Sequence, residues 1–229
     1  MNRKMMNRKP LSLLAALAAF LLLPATAVGS EPPDMTVDGL QRVEDSRLGL
    51  VYVRPGAELG TYRRIMLGDV TVAFRKNWLR DQNRGTTRVR ASDVERIKTE
   101  LAELFHEVFV EELAADDGWE LVDEAADDVL RLEPAIVNLD ITAPDVPTAG
   151  RSYQFAESAG EMTLELEVFD SVSGELLARA VDRRRDRETG SFEWRSRVSN
   201  RADAKRILSV WARLLREGLD SARASAPGA

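Results

Sequence analysis

The 229-residue chain contains no cysteine. No disulfide can therefore hold the fold, and no zinc site built on thiolates can form. Many exported bacterial proteins are tethered through a lipid on a cysteine, and no residue is available here to carry one. We expect a protein without a lipid anchor, stabilised by its hydrophobic core alone.

Histidine is almost as scarce, because His106 is the only one in the chain. It follows Glu103 at the Glu-x-x-His spacing that places a carboxylate and an imidazole one turn apart on a helix. A di-iron bundle needs two such motifs and further glutamates, and only one is present. We therefore predict that His106 lies on a helix surface and binds no metal, and we expect no cofactor.

Several common catalytic signatures are also missing. The chain has no Gly-x-Ser-x-Gly elbow, no phosphate loop ending in Gly-Lys-Ser/Thr and no Gly-x-Gly-x-x-Gly turn. Neighbouring carboxylates are plentiful, and a hydrolase that works through two carboxyls facing across a cleft stays open as an alternative. The acidic pairs that could serve it are Glu111-Glu112, Asp116-Asp117, Asp123-Glu124 and Asp127-Asp128.

Long apolar runs are absent except near the N-terminus. Residues 1–10 carry four basic residues and no acid, residues 11–23 are almost wholly apolar, and small residues follow up to Ala27. This pattern is typical of a secretory signal peptide over residues 1–27. The apolar run is shorter than the roughly 20 residues of a spanning helix. We therefore expect a soluble periplasmic or secreted protein with no transmembrane segment after cleavage.

The chain also has fewer basic than acidic residues, 32 against 38. The formal net charge is -6, and removal of the four basic residues of the signal segment makes it -10. An acidic protein does not attract nucleic acid, which is bound by releasing counterions to lysine and arginine. It does not attract an anionic membrane surface either.

The apolar pattern along the rest of the chain predicts a single globular domain over residues 48–223. Residues 28–47 are polar and aperiodic, which indicates a flexible lead-in, and residues 224–229 are expected to be a disordered tail. Period-two runs predict strands at 48–53, 62–74 (with a bulge at Gly68-Asp69), 119–122 and 127–143 (with a bulge near Pro134). Helical spacing predicts helices over 93–115, opened by a Ser92/Glu95 capping box, and over 200–222.

Residues 161–186 are the part around which we expect the domain to be organised. Met162, Leu164, Leu166 and Val168 alternate with polar residues, a turn follows at 170–174, and the apolar run then resumes. This predicts an antiparallel hairpin. The predicted fold is α/β (α+β): one largely antiparallel sheet of about five strands, two long amphipathic helices packed on it, and the order strand, helix, strands, helix.

Two irregular stretches, 75–91 and 144–160, are candidates for a working surface. They contain Trp78, Arg80, Asn83 and Tyr153, and aromatic residues beside arginine are enriched at contact surfaces. We name these four as candidate binding residues. The alternative is that the aromatic rings cover an open edge of the core.

Short segments spread along the chain resemble the family of bacterial exported proteins and lipoproteins that carry the domain of unknown function (DUF) 3313. The segments are residues 62–67 with Val70, 77–81, 83–84, 108–113, 128–132, 160–164, 170–178 and 181–183. The resemblance implies an α/β envelope module with no assigned reaction and no catalytic residues to carry over. The lack of cysteine departs from the lipoprotein members of that family.

Two functions therefore remain open from the sequence. The first is a non-enzymatic binding or assembly module of the cell envelope, whose partner is an envelope protein or a cell-wall component. The second is a carboxylate-dependent hydrolase acting in the cell envelope. A cleft lined by two of the acidic pairs would favour the hydrolase.

Overall fold

Eight strands and three helices are present in the computed structural model, which describes residues 31–84, 88–141, 160–185 and 197–225. The strands are β1 (Gln41–Arg42), β2 (Leu50–Val53), β3 (Arg64–Leu67), β4 (Thr71–Phe74), β5 (Glu120–Leu121), β6 (Val129–Asp140), β7 (Glu161–Asp170) and β8 (Leu176–Arg185). The helices are α1 (Trp78–Gln82), α2 (Ala91–Ala114) and α3 (Arg197–Ala224).

All eight described strands belong to one mixed sheet in the order β1-β2-β8-β7-β6-β3-β5, with β4 also paired to β6. The strands from β1 to β6 in this order pair antiparallel. In contrast, β3 and β4 lie one after the other along the far edge of β6 and run parallel to it, and β5 runs parallel to β3.

The prediction of about five largely antiparallel strands with two helices is wrong, because the described residues form eight strands in a mixed sheet with three helices. The parallel pairs arise because α2 connects β4 to β5 and β6, and a strand that returns through a helical crossover pairs parallel. The first strong apolar run is not one strand with a bulge: it is interrupted between Leu67 and Thr71 and forms β3 and β4.

A bulge does place the apolar residues of β6 on one buried face, but it is not at Pro134. Pro134 pairs in register with Leu166, whereas the register shifts between Val137 and Asp140. Asn138 lies within the shift and has a positive φ of 53°, a conformation that asparagine tolerates better than most residues. The shift places Leu139 on the same buried face as Leu130, Leu132 and Ile136.

The predicted hairpin is confirmed, since β7 and β8 pair antiparallel across the turn after Asp170. Leu164 and Leu166 are 2% and 1% exposed. They belong to the main core, together with residues of α2 and α3.

Both long helices are close to their predicted positions, but their N-terminal ends differ. α2 begins at Ala91, and Asp93 Oδ2 accepts the N–H of Arg90 at 2.9 Å. The predicted capping box of Ser92 and Glu95 is therefore wrong, because Asp93 fills that role one turn into a helix that starts earlier. The short helix α1 was not predicted.

Part of the segment predicted as a lead-in pairs with the sheet. β1 lies there, and Leu40 beside it is fully buried. Within the described ranges, no helix combines the length and apolarity needed to cross a bilayer.

Helices α2 and α3 contact each other and pack on the same face of the sheet. Strands are about 4.8 Å apart, so the six strands from β2 to β5 span roughly 24 Å, whereas two adjacent helices at 8–10 Å spacing cover roughly 20 Å. The helices therefore do not span the whole width of the sheet, and a groove lies over the β2–β8 flank of this face, beside α3.

Candidate functional site

The β2–β8 flank of the helix-bearing face contains a hollow of about 590 Å³, which we call the α3 groove. Its floor is the helix-facing side of β2, β7 and β8, one wall is the second half of α3, and the other wall is the segment 43–48 with Leu59. The apolar residues that line it are Val43, Leu48, Val51, Val53, Leu59, Leu166, Val168, Ala178, Ala180, Leu214, Leu215, Leu219 and Ala222.

The alternation of the strands makes the floor apolar. Val51 pairs with Ala180 and Val53 with Ala178, so their side chains lie on the same face. Ala178 and Ala180 are small, which lowers the floor in front of α3. A hollow of 300–1,000 Å³ with mostly apolar walls is the usual form of a ligand site.

The polar residues that line the groove are Asp45, Ser46, Arg47, Arg179, Glu217, Ser221 and Ser225. Arg47 Nη1 forms an ion pair with Glu217 Oε2, which joins the 43–48 wall to α3. Their side chains are 68% and 44% exposed, so we expect this pair to open at little cost in stability. Ser225 Oγ donates to the carbonyl of Ser221 at 2.8 Å, and Ser46 Oγ accepts the N–H of Leu48 at 3.1 Å.

Gly218 lies on the wall formed by α3. A glycine inside a helix is about 1 kcal/mol less favourable than alanine. Gly218 is exposed, and a Cβ added there would meet no atom within 4 Å. A larger side chain at this position of the wall would therefore meet no close neighbour.

The buried carboxylate of Asp182 fixes the two sides of the groove to each other. Its Oδ2 accepts the Nε1–H of Trp211 on α3 at 2.7 Å, and its Oδ1 accepts the N–H of Gly49 at 2.8 Å. A Cβ at Gly49 would lie 3.1 Å from that Oδ1 and 3.2 Å from the carbonyl oxygen of Val181. Glycine therefore permits the close approach, which positions Leu48 and β2 against β8.

A second hollow, the α2–α3 pocket, lies at the other end of α3 and has a volume of about 330 Å³. Ile97, Leu101 and Leu104 of α2 and Ile207 of α3 line it, with Ile141 and Met162 from the sheet. Glu161 is at its rim. Burial alone would raise the pKa of Glu161, but hydrogen bonds from Arg185 and Arg183 lower that pKa below its usual value.

A third hollow, on the sheet face opposite the long helices, is acidic. Asp69, Glu133, Glu165 and Glu167 line it, and Glu167 is paired with Arg179 at 2.7 Å. The acidic pairs named from the sequence do not line this hollow or the other two. His106 is exposed on α2, and the described residues contain no cluster of three or more metal-ligating side chains.

Trp78, one of the candidate binding residues, is part of the core. It is 1% exposed, its ring stacks on Phe74 with 3.9 Å between centroids, and its Nε1 donates to the carbonyl of Ile141 at 2.7 Å. It begins α1 and does not lie in an irregular loop. The structure thus agrees with the alternative that this ring covers the core.

The other three candidates have different surroundings. Arg80 is 64% exposed. Asn83 is half-buried and bonds through both side-chain atoms to the backbone of Val89, at 2.7 and 3.1 Å. Tyr153 lies outside the described residues. Trp78, Arg80 and Asn83 do not line the α3 groove. Binding of a partner by any of the four candidates stays a prediction.

Sequence reasoning missed the α3 groove. The helical stripe predicts that Leu214, Leu215 and Leu219 face the core, which the structure confirms, but these residues also line the groove.

The fold and its hollows define an α+β protein with two helices on one face of a mixed sheet and an apolar groove beside the second helix. The family model described as "Protein of unknown function (DUF3313)" matches residues 34–215. The chain therefore belongs to the DUF3313 family.

The comparison with curated proteins finds no match. Among solved structures, the chain is similar to two PelC dodecamers from Paraburkholderia phytofirmans, one of them a single-residue variant. The variant is 9% identical with a TM-score of 0.35, covering 72% of this chain and 95% of PelC. The other is 10% identical with a TM-score of 0.36, covering 72% and 96%. At these scores nothing is carried over from PelC to this chain.

Proposed function

We propose that this protein is a non-enzymatic binding module of the bacterial cell envelope, and that it takes up an apolar ligand in the α3 groove. Export to the periplasm is supported by the basic, apolar and small-residue segments of residues 1–27. The absence of a lipid-bearing cysteine supports a module that is not tethered through a lipid.

The observation that carries the binding proposal is the mostly apolar lining of the α3 groove. Gly218 on its α3 wall is exposed, and a Cβ there would meet no atom within 4 Å. A hollow with mostly apolar walls and few polar groups is the usual form of a ligand site.

A fluorescent apolar probe tests the proposal. The neutral dye N-phenyl-1-naphthylamine should bind the protein saturably and become brighter. Gly218→Leu projects a side chain into the groove and should abolish this binding. Ala224→Leu is the matched control, because Ala224 is exposed on the same helix and does not line the groove.

Far-ultraviolet circular dichroism of both variants checks that α3 stays folded. Equal dye binding by wild type and Gly218→Leu would contradict the proposal, as would no saturable binding at all.

A further inference from the structure

We propose that the ion pair between Arg47 and Glu217 is a strap across the α3 groove, which opens to let a ligand enter or leave. This rests on the proposed function and adds to it how access to the same site is controlled. The position of the pair, the way in which the 43–48 segment is held and the exposure of the two side chains each support the inference.

The pair lies across the groove. Arg47 belongs to the 43–48 wall, Glu217 belongs to the α3 wall, and both residues line the hollow. Arg47 Nη1 is in direct contact with Glu217 Oε2, so the two walls are bridged at this point. A ligand that lies on the floor beneath the bridge is therefore covered by it.

The 43–48 segment is fixed at its ends and not in its middle. At one end the N–H of Val43 is bonded to the backbone of β2 at 2.8 Å, and at the other end the N–H of Gly49 is bonded to a carboxylate of β8 at 2.8 Å. Within the part of the chain that the structure describes, the Arg47–Glu217 pair is the only hydrogen bond or ion pair between this segment and α3. Breaking that one contact thus frees the middle of the segment while its two ends stay attached to the sheet.

Opening the strap costs little. The side chains of Arg47 and Glu217 are 68% and 44% exposed, and an exposed ion pair shifts an equilibrium by only about two- to fivefold. Val43, Glu44 and Asp45 are exposed as well, so few buried side chains hold the segment closed. Asp45 lies on the same segment as Arg47, so its charge does not link the two walls. Exposed segments with few buried contacts are the parts of a protein that open locally.

Stopped-flow fluorescence with N-phenyl-1-naphthylamine tests the strap, because a neutral dye forms no ion pair with either residue. Arg47→Gln removes the strap and should raise the association and dissociation rate constants alike, by about two- to fivefold. Sodium chloride at about 1 M should raise both rate constants of the wild type in the same way and change those of Arg47→Gln less. Arg201→Gln is the matched control, since Arg201 forms an exposed ion pair with Glu107 at 3.0 Å between α3 and α2 and does not line the α3 groove.

A covalent strap provides the opposite perturbation. The chain has no cysteine, so a bismaleimide joins only the two thiols of the double variant Arg47→Cys/Glu217→Cys. The crosslinked protein should exchange the dye roughly tenfold more slowly, or slower still, than the same variant capped with N-ethylmaleimide.

The outcomes separate the two proposals. If the dye binds saturably but Arg47→Gln changes neither rate constant, or only the dissociation rate constant, the strap is overturned and the apolar site remains. The same holds if the crosslinked and the capped protein exchange the dye equally fast. If the dye does not bind at all, the proposed function fails and the strap fails with it.

Discussion

Replacing Trp78 by alanine tests whether this residue belongs to the hydrophobic core or to a binding surface. The side chain is 1% exposed, stacks on Phe74 and donates a hydrogen bond to Ile141. Truncation of such a buried ring typically costs about 3–5 kcal/mol, similar to the 2–5 kcal/mol expected for Leu166→Ala at the centre of the hairpin. The carbonyl of Ile141 keeps a longer bond from Gln82, at 3.4 Å, which limits the additional penalty.

Chemical denaturation followed by far-ultraviolet circular dichroism measures these losses. Trp78→Phe keeps a ring against Phe74 but loses the Nε1–H bond, and should cost about 1–2 kcal/mol. Arg80→Ala is the control from the same helix, and should change the free energy of unfolding by less than about 0.5 kcal/mol because the side chain is 64% exposed. A loss below 1 kcal/mol for Trp78→Ala would refute its assignment to the core.

Three further predictions concern the elements around the groove. Asp182→Ala should lower the free energy of unfolding by about 1–3 kcal/mol, because it leaves the buried indole N–H of Trp211 without its acceptor. A double-mutant cycle with Trp211→Phe should give a coupling energy above about 0.5 kcal/mol, and additive effects would contradict the hydrogen bond. Gly218→Ala should raise the free energy of unfolding by about 0.5–1 kcal/mol, and a loss would mean that the position is packed. The N–H and hydroxyl of Ser173 lower the pKa of Asp170. The stabilisation that the ionised carboxylate provides is therefore complete above its usual pKa of about 3.9 and is lost as the pH falls further. The free energy of unfolding of Asp170→Asn should then decrease less steeply with acid than that of the wild type, and an identical acid transition would exclude this role.

The strong periodic segments explain which parts of the fold could be predicted. The β7–β8 hairpin and the two long helices follow from patterns local to each segment. The parallel pairing of β3 and β4 with β6 could not be read from those patterns, because both partners are compatible with either direction and the crossover through α2 decides between them. Two-residue strands such as β1 carry no pattern at all.

For the candidate site, too, local sequence patterns predict one part and tertiary packing decides the rest. The loop-like neighbours of Trp78 are compatible with either a binding surface or a cover over the core, and its burial against Phe74 decides for the core. The α3 groove depends on how α3 packs over the strands, which the pattern of a single segment does not state.

Native mass spectrometry of the protein isolated gently from its own cells tests the central claim most directly. The account predicts a bound apolar molecule on the wild-type chain and on Ala224→Leu, and its absence from Gly218→Leu. A wild-type protein with no bound molecule, or the same bound mass on Gly218→Leu, would contradict the claim that the α3 groove is the binding site.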